Sequence, residues 1–235
     1  MQPEPTEAAM SSPTLVLFDV NETLSDLEPL RDRFEQVGAP GHLLESWFAS
    51  TLRDGFALTA AGAYADFRTV ALGVLRGLLA QIETPQHNNE RAAEHVLTGF
   101  AELDVHPDVA EGMHKLAAAG MRMATLTNGA AEIARKLLDR AGLADPVERF
   151  LSVDEVRRWK PAPEPYLHAA RELGVPPEKC VLVAVHQWDI DGAKRAGLQA
   201  GWLSRRNASY PCFFETPDAT GETLAALADV LVADR

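Results

Sequence analysis

The spacing of short apolar runs is what most narrows the folds open to this chain. Thr14 to Phe18 (TLVLF) is apolar throughout and ends at Asp19, the pattern of a short strand buried on both faces. No comparable run follows until Arg122 to Leu126 (RMATL). Cys180 to Val185 (CVLVAV) and Ala200 to Leu203 (AGWL) then repeat it, with a weaker run at Phe150 to Val153. Between these runs Pro107 to Ala119, Ala130 to Ala141, Pro163 to Leu173 and Ile190 to Ala196 carry apolar residues at helical spacing. Gly120, Gly142, Gly174 and Gly197 stand where C-terminal caps belong. Strand and helix in alternation predict a parallel sheet covered by helices.

The long gap after the first strand is itself informative. From Asp26 to about Leu103 the pattern is helical throughout, with Leu27 to Val37, His42 to Leu58, Tyr64 to Leu79 and Asn88 to Leu103 separated by Gly38, Pro40, Gly62 and Pro85. A helical block after the first strand of such a sheet reads as an insertion. The expected fold class is therefore α/β: a doubly wound, parallel-sheet, Rossmann-like core (residues 14–25 and 104–235) with an inserted all-helical cap domain (residues 26–103). The opening MQPEPTEAAMSSP, residues 1–13, reads as a disordered N-terminal segment outside the fold.

Composition bounds the partners. Lys and Arg total 22 against 34 Asp and Glu, and a net charge of -12 repels phosphodiester backbones and anionic lipid, so nucleic acid and membrane are not expected partners. A small anionic substrate would meet the same field and needs local donors to offset it. Cys180 and Cys212 lack metal-ligand spacing and read as free thiols. No apolar stretch reaches the roughly 18 residues of a membrane span, and the N-terminus lacks signal-peptide order, which places the chain in the cytoplasm. Oligomeric state stays open, a homodimer being one arrangement compatible with the sequence.

Ligands of an open parallel sheet bind beyond the carboxyl ends of its strands. The residues falling there are Asp19, Asn21 and Thr23, then Thr127, Asn128 and Gly129, then Lys160, then His186 and Asp189. Each has a plain structural alternative. Asp19 is also a strand-end turn former, Lys160 a surface lysine before Pro161, Asp189 a cap for a helix starting at Ile190, and Asn128-Gly129 a common turn pair. Asp191 reads as a solvated first-turn carboxylate, and His186 as a hydrogen-bonder more readily than a general base. Arrival of a carboxylate, hydroxyl and amide donors, an ammonium and an imidazole at one edge favours a catalytic site.

With those residues in place, FDVNETL (Phe18 to Leu24), LTNG (Leu126 to Gly129), KPAPEPY (Lys160 to Tyr166) and WDIDGAKRAG (Trp188 to Gly197) resemble, in order, the motifs of the haloacid dehalogenase-like superfamily. The nearest branch looks like the L-2-haloacid dehalogenases. That resemblance implies a hydrolase acting on a carbon-halide bond of a small 2-haloacid, with Asp19 as the nucleophile that forms an ester, no cofactor, and a 2-hydroxy acid as product. It implies that Thr23 steadies Asp19, that Asp189 positions Lys160, that Thr127 holds the substrate carboxylate, and that Asn128 lies near the leaving group. Asn21, Tyr166 and Trp188 complete the substrate-binding set, and His186 joins the catalytic one.

Several positions depart from that pattern. Asn21 stands where the branch has Tyr, His186 and Ala184 where it has Asn and Ser, and Phe48 where it has a cap arginine, Arg53 lying on another helix face. Phosphatases of the superfamily carry a second carboxylate at the position of Asn21 and a metal-binding one at Val185. An amide has no titratable proton to replace the first, and Mg²⁺ prefers oxygen ligands that Val185 lacks. A Mg²⁺-dependent phosphatase with an atypical site and a catalytically reduced binding protein are the alternatives.

Overall fold

The computed structural model describes residues 12–82, 89–205 and 209–233. The segment expected to be disordered falls outside these residues apart from Ser12 and Pro13, as do Pro85 and Asn88 in the helical block. The first strand, β1 (Leu15–Phe18), has all four side chains fully buried. Its neighbours are β2 (Arg122–Thr127) on one side and β4 (Cys180–Ala184) on the other. Beyond them lie β3 (Val147–Ser152) and the pair β5 (Gln199–Leu203) and β6 (Ala219–Gly221), giving one parallel sheet in the order β3-β2-β1-β4-β5-β6.

Period-two alternation sends Val16 and Phe18 to one face of this sheet and Leu15 and Leu17 to the other. On the first face they meet α5 (Val109–Ala118), α6 (Ala131–Arg140) and α9 (Leu224–Ala233), through Met113, Leu116, Leu138 and Leu227. The second face is covered by α7 (Pro163–Glu172) and α8 (Gln187–Arg195), through Tyr166, Ala169, Ile190 and Ala193. Helices on both faces bury the central strands completely, which is why these strands read as unbroken apolar runs. Gly120, Gly142, Gly174 and Gly197 all take positive φ just past the helices they end.

Between β1 and α5 the described residues form no strand, only the helices α1 (Leu30–Gln36), α2 (Leu43–Ala60), α3 (Phe67–Leu79), α4 (Asn89–Thr98) and a 3-10 turn over Gly99–Glu102. Boundaries differ from expectation for local reasons. Pro29 starts α1 three residues late, and the Asp66 carboxylate accepts from the Thr69 amide at 2.8 Å to cap α3 at Phe67 instead of Tyr64. No helix among the described residues is long and apolar enough to cross a membrane.

Three further differences lie in the core. Strand β3 starts at Val147, before the apolar run, because Glu148 and Arg149 sit on an exposed edge and Glu148 pairs with Arg122 of β2. Helix α8 begins at Gln187 with His186 as its N-cap, so Asp189 lies inside the first turn and does not cap the helix. The three residues of β6 are too short for a periodic signal, and α9 (LAALADVLVA) is apolar on nearly every side and so lacks a stripe.

Candidate active site

Asp19 follows β1 directly, its amide donating to Val183 O of the neighbouring strand at 3.0 Å, so its carboxylate is fixed at the strand tip. Only 4% of the residue is exposed. The Thr23 hydroxyl accepts from the Val185 amide at 3.1 Å and therefore turns its own hydrogen to Asp19 Oδ2 at 2.6 Å. Thr23 thus ties the first motif to the end of β4.

Lys160 is fully buried, and all three of its ammonium donors are used: Asp19 Oδ1 at 2.9 Å, Asp189 Oδ2 at 2.6 Å and Leu126 O at 2.9 Å. The side chain is delivered there by its own backbone. Asn128 Oδ1 accepts from the Lys160 amide at 2.9 Å, while Asn128 Nδ2 approaches Lys160 O at 3.5 Å. Through this pair of contacts the Asn128 side chain clasps the lysine loop. Asp189, fully buried on the first turn of α8, holds the opposite side of the ammonium and accepts from the Tyr166 hydroxyl through Oδ1. Tyr166 is therefore set behind Asp189 and not on the crevice wall, since its ring is fully buried between α7 and the sheet.

His186 is placed differently from a base awaiting a proton. Its Nδ1 lies 3.3 Å from Asp19 Oδ2 and its Nε2 lies 2.8 Å from Glu22 Oε2. Burial opposes charge on the ring, yet the bonds to Asp19 and Glu22 raise its pKa to about 9, so at neutral pH both nitrogens donate. Burial likewise opposes ionisation of Asp19, but the Lys160 charge and the His186 bond hold that carboxyl well below its usual range. Asp189 moves the other way: burial and the nearby charge of Asp19 raise it against the pull of Lys160. The lysine, penalised by burial, is raised by Asp189 and Asp19 and stays an ammonium.

Glu22 escaped the sequence reading although it lies within the first motif. Its backbone has φ of 61°, a left-handed turn rare for a residue with a side chain, and its carbonyl accepts from His106 Nε2 at 3.1 Å. That turn brings the carboxylate onto His186, and nothing in a sequence pattern prints it.

Above these charges the helical block supplies aromatic rings. Phe48 of α2 lies 6.1 Å from the His186 ring, and Phe56 packs edge-on against Trp188 at 4.9 Å. Trp188 in turn stacks on His186 at 5.0 Å, and Phe67 stacks on Trp159 at 5.9 Å. Arg53 is exposed and paired with its neighbour Asp54, so Phe48 and not an arginine faces the site from α2. Two cavities of about 580 Å³ each flank the cluster. One is lined by Asn21, Thr127, Gly129, Phe67, Phe100 and Ile133, and the other lies beyond His186 and Glu22. Among the described residues no three or more His, Cys, Asp or Glu side chains cluster to hold a metal ion.

A family model described as haloacid dehalogenase-like hydrolase matches residues 13–197. The chain belongs to that family. Its relatives include haloacetate dehalogenase H-2 of Moraxella sp. (strain B), 26% identical over 92% of this chain and 96% of that protein. Another is an (S)-2-haloacid dehalogenase of Xanthobacter autotrophicus, 29% identical over 81% of this chain and 74% of the relative. Among solved structures, an L-2-haloacid dehalogenase from Xanthobacter autotrophicus with chloropropionic acid covalently bound superposes with a TM-score of 0.80. It is 25% identical and covers 93% of this chain and 98% of its own. In this family member the expected Asp19, Thr23, Lys160, Asp189 and His186 converge, Asn21 and Thr127 line the adjoining cavity, and Trp188 stacks beside them.

Proposed function

We propose that this hydrolase removes halide from a small 2-haloacid through an ester on Asp19, giving a 2-hydroxy acid and using no metal. The observation that carries the reading is the Lys160 ammonium lying between Asp19 and Asp189 at 2.9 and 2.6 Å. A buried cation bonded to both carboxylates supplies the positive charge that a metal would otherwise bring, and it keeps Asp19 ionised and fixed for attack.

In the first step a carboxylate oxygen of Asp19 forms a bond to the halogen-bearing carbon as the carbon-halogen bond breaks, and the halide leaves with the electron pair. Halide departs without a proton, so no acid is needed at the position of Asn21. In the second step water attacks the Asp19 carbonyl carbon, the ester bond breaks, and the product departs with the former Asp19 oxygen as its new hydroxyl. Asp19, Asp189 and Glu22 against Lys160 and His186 leave the site nearly balanced in charge. Thr127 and Asn21 on the cavity wall are suited as donors to the substrate carboxylate, with Arg68 lining the same cavity. In this reading residues 26–103 act as a cap domain over the core of 14–25 and 104–235, and the rings of Phe48, Phe56 and Phe67 restrict what enters.

The test is halide release from a panel of small 2-haloacids, with and without chelator, by the protein and by Asp19→Asn. Release that survives chelator and disappears in the variant is the expected result. Turnover of no panel member, or phosphate release from phosphate esters that stops on chelation, would refute it.

A further inference from the structure

The two oxygens of Asp19 are not equivalent. Oδ1 accepts a single hydrogen bond, from Lys160, and so keeps a lone pair free; Oδ2 accepts two, from Thr23 at 2.6 Å and His186 at 3.3 Å. An oxygen whose lone pairs are both engaged is the poorer nucleophile and the better place for charge to collect. We propose that Oδ1 is the attacking oxygen and that His186, held by Glu22, forms with Thr23 a two-donor oxyanion site for Oδ2 during hydrolysis of the ester.

This assignment rests on the ester reading above and gives the second half-reaction its own machinery. Once Oδ1 is bonded to substrate, Oδ2 is the ester carbonyl oxygen. Water then adds to Cγ, the carbonyl electron pair moves onto Oδ2, and the Cγ–Oδ1 bond breaks as the carbonyl reforms. One water proton ends on Oδ1 in the product hydroxyl and the other is released to solvent as the carboxylate returns, while His186 keeps its own proton throughout. Donors already aimed at Oδ2 need no rearrangement as charge grows there. Glu22 is a positioning residue: its carboxylate meets the His186 ring at Nε2, the nitrogen turned away from Asp19.

The groups around His186 support its acting as a donor. Asp19 and Glu22 face its two nitrogens, with Lys160 beyond Asp19. Helices α2 and α8 contribute the uncharged rings of Phe48 and Trp188. Along the cavity beyond it, His106 bonds to the Glu22 carbonyl, Arg205 pairs with Asp108, and Arg31 pairs with Glu28 and Glu45. Ester formation removes the Asp19 charge but leaves Glu22, so the imidazolium in the ester state loses its proton at a pH below the value of about 9 for the free protein. Hydrolysis by an oxyanion donor therefore falls as pH rises through that limb, whereas hydrolysis by a general base rises.

The experiment follows halide release and the mass of the peptide bearing Asp19 in rapid-quench turnover of 2-chloropropionate. His186→Phe keeps the ring packing and loses both donors. It is expected to retain a halide burst near one equivalent per site, to slow the later phase roughly 10²- to 10³-fold, and to accumulate the ester mass on Asp19. His186→Asn, which restores one neutral donor, should recover part of the later phase. Glu22→Gln removes the charge that keeps the ring protonated while preserving the contact, and is expected to move the alkaline limb of hydrolysis to lower pH by a unit or more. A His186→Phe protein in which halide release slows as much as hydrolysis, or a Glu22→Gln limb that stays in place or rises with pH, would overturn the assignment. Absence of any halide release by the unaltered protein would refute the dehalogenase reading itself, and this inference with it.

Discussion

Replacing Lys160 by Met keeps an unbranched side chain, one atom shorter, and removes its charge, at a cost set by the burial of its partners. The ammonium is fully buried and serves two carboxylates that are 4% and 0% exposed. Its loss leaves Asp189 without a counter-charge and Asp19 with His186 alone, a one-sided breaking of a buried pair that costs about 3–5 kcal/mol. Against the roughly 5–15 kcal/mol that holds a typical domain folded, this is a large fraction. The pH dependence has a definite sign. In the variant at least one of the two carboxylates keeps a proton, so its folded pKa rises above its unfolded value. The folded state then binds more protons than the unfolded one, and stability falls as pH rises through the raised pKa. Urea denaturation at about pH 5 and about pH 8 measures this, and Lys160→Met combined with Asp189→Asn provides the control. Expected are a larger deficit at the higher pH and recovery of most of it in the double variant, whose introduced amide oxygen can still accept from Tyr166. A loss under about 1 kcal/mol, the scale of an exposed ion pair, equal at both pH values, would refute the buried-triad account.

Tyr166→Phe strips Asp189 Oδ1 of its hydroxyl donor and is expected to destabilise by about 1–3 kcal/mol, with kcat falling more than KM changes because the ring does not reach the cavity; a raised KM alone would contradict this. Gly55 of α2 packs so closely that a Cβ there would stand 2.3 Å from the Trp159 ring. Gly55→Ala should therefore lower Tm by pushing α2 off the core, at about 1–3 kcal/mol, and change tryptophan fluorescence; an unaltered Tm and spectrum would show that the contact gives way freely. The raised pKa of His186 stabilises the fold fully below its unfolded value of 6.5, and that contribution is lost as pH rises through about 9. His186→Phe should accordingly flatten the alkaline side of the stability profile, as thermal denaturation across pH would record.

The parts of the site legible in the sequence are those carried by strand ends. A buried parallel strand writes itself as an apolar run, and the polar residue that stops the run must lie at the sheet's carboxyl edge, which located Asp19, Thr127 and the neighbourhood of His186 and Asp189. Lys160 was legible through its motif, since β3 is an edge strand whose Glu148 and Arg149 hide its true start. What sequence could not print is which side chain each group would choose. Asn128 spends its amide on the Lys160 backbone, and Tyr166 spends its hydroxyl on Asp189, because buried polar groups take the nearest partner that folding brings them. Glu22 depends on one backbone dihedral, and the His186 charge on a partner more than a hundred residues away in the chain.

The covalent role of Asp19 is tested most directly by a single turnover of a 2-haloacid with enzyme in excess in heavy-oxygen water, followed by mass analysis of the peptide that carries Asp19 and of the product. Because water attacks the Asp19 carbonyl, the account predicts one heavy oxygen in that peptide and none in the newly formed hydroxyl of the first-turnover product. Heavy oxygen in the product hydroxyl with an unlabelled Asp19 peptide would mean that water displaces halide directly, and the carboxylate at the tip of β1 would not be a nucleophile.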